Sequence, residues 1–274
     1  MDDAAWQEAQ SLLRLGGFTT ALAVMIVAEA LWPRRTRAAP RFSRWTTNMA
    51  LVMAGTLAVR VLSALAAPLA ASGAALWAAA HGVGLFNVID TAPLLGFLTA
   101  VLALDLVVWA QHRAFHVWPW AWRLHHVHHA DRDVDATTAL RFHPLEIALS
   151  AVIKSAAVIL LGAPAEAVLV FEIVLNASAI FNHANTALPS RLERIVRLVL
   201  VTPDMHRIHH SVRSEEHNAN FGFFLSIWDR LFGSYCAAGS GPEGTPEAIG
   251  LLGLDDARPQ HLGWSLLAPF KSRL

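Results

Sequence analysis

In the stretch "TAPLLGFLTAVLALDLVVWAQHRAFH", residues 91–116, an apolar run to residue 111 carries one charge, Asp105, and leads into two histidines flanking Arg113. About 20 apolar residues cross a hydrocarbon core as a helix, so residues 92–111 are expected to span a membrane. A carboxylate at that depth is costly unless it is paired or protonated. Asp105 lies two helical turns before His112, on the face that also carries His116, which sits at i+4 from His112. Alone, that pair fits two interfacial histidines facing headgroups as well as it fits two ligands of one metal ion.

Working outward, further spans are expected near 17–32 and 47–70. A helical hairpin is expected from 147–162 and 165–182, split by "GAP" at 162–164. The Gly- and Ala-rich segment 69–88 reads as an interfacial connection. Only 15% of the chain is Asp, Glu, Lys or Arg, against about a quarter in a soluble domain, and 55% is apolar. The fold expected is all-α: a multi-pass membrane helical bundle of three clear spans plus a hairpin. A formal net charge of zero gives no electrostatic footprint for nucleic acid. The opening "MDDAAWQEAQ" lacks a positive n-region, so the first apolar segment is expected to be a retained anchor. Cys236 is the sole cysteine, which excludes an internal disulfide and thiolate zinc patterns.

Orientation follows from "WPRRTRAAPRFSRW", residues 32–45. Its five arginines place this loop in the cytoplasm by the positive-inside rule. Counting spans then puts 112–146 and 183–274 on the same cytoplasmic side, with Trp118, Trp120 and Trp122 at headgroup depth. The domain division expected is 1–104 for the N-terminal anchor helices, 105–236 for the catalytic domain with its histidine boxes, and 237–274 for a C-terminal cytoplasmic tail. For a bacterial chain, the membrane is the inner one.

The side shared by these segments holds every histidine except His81. In "RLHHVHHADRD", residues 123–133, His125, His128 and His129 fall at i, i+3 and i+4 on one helix face, while His126 points away toward headgroups. The same H-x-x-H-H spacing returns in "DMHRIHHS" as His206, His209 and His210. His183 ends a polar stripe with Glu172 and Asn176 at helical spacing, and is read as a ligand. His143 in "RFHPLE" fits a ligand or a partner of Glu146 equally well. His217 reads as solvated, and His81 and His261 as ordinary surface histidines. For Asp105, the natural role is to accept the other ring N–H of a ligand histidine and so fix its tautomer.

His112, His116, His125, His128, His129, His183, His206, His209 and His210 are nine candidates, too many for one ion, so two metals are expected. Imidazole ligation suits Zn, Cu, Fe or Ni. A site at the membrane face, reachable by an acyl chain or sterol, favours a redox metal able to activate oxygen against carbon–hydrogen bonds. Zinc lacks redox chemistry, so iron fits better.

With "HRAFH", "LHHVHH", "RFHPLE", "NHAN", "MHRIHH" and the closing "NANFGFFLSIWDRLFGSY", residues 105–235 resemble the fatty acid hydroxylase and sterol desaturase superfamily of integral-membrane di-iron enzymes. The resemblance implies two Fe ions on the nine histidines, with His143 an additional candidate and zinc a replacement ion in purified protein. It implies hydroxylation or desaturation of a lipid such as a fatty acyl chain, sterol or carotenoid, using molecular oxygen and a separate electron-donor protein. Phe221 stands where many members carry Tyr, and some members have a longer first box. Two other classes remain: a membrane metal-binding or transport protein, which normally places its ligands near the midplane, and a zinc-dependent lipid hydrolase.

Overall fold

A computed structural model describes residues 3–37, 40–254 and 256–271; the ends of the acidic opening and of the expected tail lie outside the described residues. The chain is an all-α bundle, with isolated bridges but no strand among the described residues. Its helices are α1 (Asp3–Leu31), α2 (Arg41–Leu65), α3 (Ala71–Ala80), the single turn α4 (Leu85–Val88), α5 (Pro93–Val117), α6 (Pro119–His129), α7 (Pro144–Leu161), α8 (Ala165–His183), α9 (Ser190–Val196) and α10 (Pro203–His209), followed by shorter turns. α1, from Glu8 onward, α2, α5, α7 and α8 are each long and apolar enough to cross a membrane. The three spans and the hairpin expected from the sequence are these five helices.

The elements that carry the site begin alike. α5, α6, α7 and α10 each open on a proline at the first helical position, where the missing N–H costs nothing and the fixed φ favours a helix. His143 caps α7 by accepting the Leu145 N–H at 3.2 Å, and Thr202 caps α10 through Met205 at 3.3 Å. Gly162 stops α7 in the left-handed region at φ 63°, and Pro164 leads into α8. The backbone of Gly84 lies directly against this turn, with no room for a Cβ.

Residues 69–88 form no span. With ten residues, α3 is roughly 15 Å long. Its buried face, Ala71, Ala74, Ala75 and Ala78, packs on α7 and α8. The main core joins Ala71, Ala74 and Ala75 to Leu104, Val108, Val158, Val168 and Phe171 from α5, α7 and α8.

At the end of the bundle where the histidines lie, buried ions tie the first two helices to the loops. Arg44 of α2 donates to both oxygens of Asp131 at 2.7 and 2.8 Å and to Asp135 at 2.9 Å. Glu29 of α1 accepts the backbone N–H groups of Ala136 and Asn185 at 2.6 and 2.8 Å. Arg141 spans from the Val127 carbonyl to Asn48, Pro259 and Ser265. Trp264, Leu254 and Ala268, all from 237–271, pack against Leu51, Val127 and Ala130. The C-terminal region is thus a lid on α6.

Burial works against the charge on Asp131, but the Arg44 guanidinium, aided by Arg141 and Thr138, outweighs it and holds the carboxyl well below the usual range. Removing one member of such a buried pair strands the other. Asp131→Ala is expected to cost about 3–5 kcal/mol, read as a large drop in the thermal midpoint of the detergent-solubilised protein. Asp256→Ala, which breaks an exposed pair with Arg258, is expected to shift it little. Because the Asp131 carboxyl titrates below its unfolded value of about 3.9, its contribution is complete above that pH and is lost as the pH falls further.

Candidate metal centre

Helical phase sorts the histidines. His112, His116, His125, His129 and His209 form one group, and His128, His183, His206 and His210 another; within each, one ring nitrogen per residue lies within 4.8 Å of all the others. The i,i+4 pairs 112/116, 125/129 and 206/210 each stay within one group, because they lie one above the other on a helix face. His128 and His209, a step out of phase, cross to the other group. Each H-x-x-H-H box therefore feeds both groups rather than converging on one point. His210 terminates α10, and His183 is the last residue of α8.

The rings are oriented from behind. His112 Nδ1 donates to the Phe221 carbonyl at 2.7 Å, His209 Nδ1 to the Ala219 carbonyl at 2.7 Å and His183 Nδ1 to the Ala179 carbonyl at 2.6 Å. His125 Nδ1 meets Glu146 Oε1 at 2.6 Å. A carbonyl only accepts, so Nδ1 of His112 and His209 carries the proton and each Nε2 is left with a lone pair. These two Nε2 atoms nevertheless face each other at 3.0 Å, with His125 Nε2 3.1 Å from His112. Buried lone pairs at that distance repel unless a cation lies between them. The separation suits two nitrogens each about 2.1 Å from one ion and roughly at right angles. In the second group His183 Nε2 faces His128 at 3.0 Å and His206 at 3.1 Å. Both ring nitrogens of His129 and His210 lack a hydrogen-bond partner among the described residues. Burial, reinforced by neighbouring imidazoles, pushes His125, His128, His129, His206 and His209 well below the ordinary histidine range, which keeps them neutral donors. The residues fit two metal ions.

Four expectations need correction. His143 belongs to neither group: its Nδ1 is used as the cap of α7, and Nε2 lies 3.3 Å from the Leu266 carbonyl. Its supposed partner Glu146 instead holds His125. Asp105 reaches no histidine; it accepts from Leu225 N at 3.2 Å and Trp228 Nε1 at 2.8 Å, and so fixes the loop that carries Phe221. His126 does point away from both groups, but it is buried rather than facing headgroups, and it packs edge-on against Trp264. His217 is half-buried and stacks on Trp122 with ring centroids 5.4 Å apart; both rings lie near His116 and His129. His81 and His261 are exposed.

The sequence reading gave no role to Asp229. This carboxylate accepts the N–H groups of Phe221 and Gly222, both at 2.9 Å, and Trp109 Nε1 at 3.0 Å. Asn220 sits in the left-handed region at φ 55° and its side chain bridges Met205 and Cys236. A Cβ at Gly222 would press on the Leu225 carbonyl and Val201. The "NANFG" stretch is thus a tight loop whose carbonyls at 219 and 221 face two imidazoles.

A cavity of about 490 Å³ opens between α1, α2, α5, α7 and α8 and ends on His112, His125 and Glu146. Phe115, Phe142 and Phe223 line its inner end, while Arg14, Arg60 and Lys154 also line it.

Five membrane-length helices around a buried all-imidazole centre define an integral-membrane histidine-box protein. The chain belongs to the fatty acid hydroxylase family, whose model matches residues 97–234. An ornithine lipid hydroxylase from Rhizobium tropici is 31% identical over 124 residues, 45% of this chain and 37% of its own length. Alkylglycerol monooxygenase from Homo sapiens is 28% identical over 142 residues, 50% of this chain and 30% of its own, and that from Danio rerio is 29% identical over 137 residues, 50% and 29%. The chain therefore spans about a third of the length of these relatives. No solved structure matches it.

Elemental analysis of purified, Fe(II)-loaded protein is expected to give about two ions per chain, falling to about one in His206→Ala, which opens only the four-histidine group. Glu146→Gln is expected to keep both ions but to weaken affinity about 10–100-fold. His126→Ala and His143→Ala are expected to retain the full complement.

Proposed function

We propose that this protein is a membrane-bound non-haem di-iron oxidoreductase that uses molecular oxygen to hydroxylate, or in a variant outcome desaturate, a lipid substrate. The observation that carries this reading is the facing pair of Nε2 atoms on His112 and His209, with His112 also lining a cavity among the membrane-length helices. Family membership and the names of the relatives support the lipid and the oxygen chemistry. Bound iron, held by His112, His116, His125, His129 and His209 in one site and by His128, His183, His206 and His210 in the other, supplies the oxygen activation that an unactivated carbon–hydrogen bond requires.

The protein's own groups do the rest. The Phe221, Ala219 and Ala179 carbonyls and the Glu146 carboxylate fix the rings with Nε2 inward and raise their basicity. The cavity takes a hydrocarbon chain up to His112 and His125, and the aromatic walls at its inner end keep bulk water away from them. Electrons come from a separate donor protein. The histidine-bearing end of the bundle lies beside the arginine-rich 32–45 loop, which supports a cytoplasmic centre in a multi-pass protein, at the inner membrane in a bacterium.

Lipid mass spectrometry of cells with and without the gene is expected to show a lipid changed by one oxygen or by two hydrogens. His128→Ala and His209→Ala are each expected to abolish that change and to lower bound metal, while His261→Ala does neither. Unchanged turnover and metal content in His128→Ala would overturn the assignment.

A further inference from the structure

The cavity carries charge that the histidine centre does not use. Lys154 lies eight residues beyond Glu146 on α7, and Glu172 eleven residues before His183 on α8, which puts both roughly 12–17 Å along the bundle from the histidines. Glu172 accepts Arg14 Nε at 2.9 Å, and the Lys154 ammonium is 3.5 Å from its other oxygen. Arg14 is otherwise satisfied by Gln10 at 3.0 Å and Ser72 at 2.8 Å. Lys154 is not: this long ionic contact is its one ion pair among the described residues, and an ammonium has three N–H groups to place. Arg60 lines the same cavity from α2 and makes no ion pair among the described residues. The cavity thus sets Arg14, Lys154 and Arg60 against two carboxylates: Glu146, which is engaged by His125, and Glu172, which pairs with Arg14 and Lys154. Charged groups inside a membrane bundle are costly and tend to face a partner or a pathway. Between Lys154 and the centre the wall carries Ser150 and Gln111, bonded to each other, together with Thr56, Asn176 and apolar side chains.

We infer that the cavity seats one lipid with an anionic group, a carboxylate or a phosphate monoester, against Lys154 beside Arg14, and its chain extended toward His112 and His125. The cation excess selects the anion, and the distance along α7 selects the carbon. The carbon presented to the centre lies about 12 Å down the chain, not next to the polar group. The binding part stands on the cavity and its charges; the reacting carbon rests on the proposed lipid oxidation.

The test is equilibrium binding of hexadecanoate, hexadecyl phosphate and hexadecanol to the full chain in nanodiscs, for wild type, Lys154→Met and Glu172→Gln. At least one of the two anions is expected to bind wild type roughly tenfold tighter than the alcohol, and the better of them identifies the head. Lys154→Met is expected to erase that preference while hexadecanol binding stays the same. Glu172→Gln is expected to enlarge it, because the anion then has no competing carboxylate. Opposite shifts in the two variants distinguish recognition from a packing role, which would weaken binding of all three probes or of none. Equal binding of anions and alcohol to wild type, or a preference surviving in Lys154→Met, overturns the inference. Turnover of lipids without any anion preference refutes this inference alone; an anion preference with no oxidation of any lipid refutes the proposed reaction alone.

Discussion

Two neutral imidazoles whose Nδ1 protons are already committed to carbonyls have no means of attracting each other through Nε2, yet His112 and His209 face each other at 3.0 Å. Much of the histidine-bearing end of the bundle serves to sustain that arrangement. The Ala219 and Phe221 carbonyls are aimed inward because Asn220 adopts a left-handed conformation and Gly222 has no side chain. The loop stays in place because Asp229 takes its N–H groups and Asp105, from within α5, takes those of Leu225 and Trp228. A buried carboxylate on a membrane-length helix is costly, and here it is satisfied by donors from the loop that positions two imidazoles.

The same logic extends outward. Neutral imidazoles whose lone pairs face one another at about 3 Å do not hold their helix ends together by themselves, so those ends are fastened by other contacts. The buried Arg44 pair with Asp131 and Asp135, the Glu29 carboxylate on two backbone N–H groups and the four-way Arg141 contact do this. Buried ion pairs add little net stability over apolar packing, but they fix register. Register is what a centre assembled from α5, α6, α8 and α10 requires, since a slip of one residue on α6 would exchange His128 for His129.

Long apolar runs made the five helices readable from the sequence, and the histidine spacings made nine histidines readable as candidate ligands. Their division into two groups was not, because spacing gives an angle on one helix but not the angle between helices. The roles of Asp105 and Glu146 were hidden for a related reason. Both carboxylates have the right chemistry to hold a histidine, and only the packing of α5 and α7 decides that Glu146 does so while Asp105 holds a loop. Backbone carbonyl acceptors leave no side-chain signature at all. "NANFG" stood out only as part of the closing stretch that carries the family resemblance. His126 was misplaced because the C-terminal region looked like a tail. Trp264 and its neighbours cover α6, so the outward face of that helix is interior.

The first histidine group has two differently built sides. His112 and His125 face the cavity inside the bundle, whereas His116 and His129 lie near the stacked, half-buried Trp122 and His217. An apolar chain and an electron need not share a route, and here they have no reason to. If the substrate is a lipid, the cavity among the membrane-length helices is its most direct route to the group. Electrons tolerate a packed aromatic wall that would block a lipid. Under the proposed function, the substrate would approach from the cavity side, past His112 and His125, and electrons from the side of Trp122 and His217.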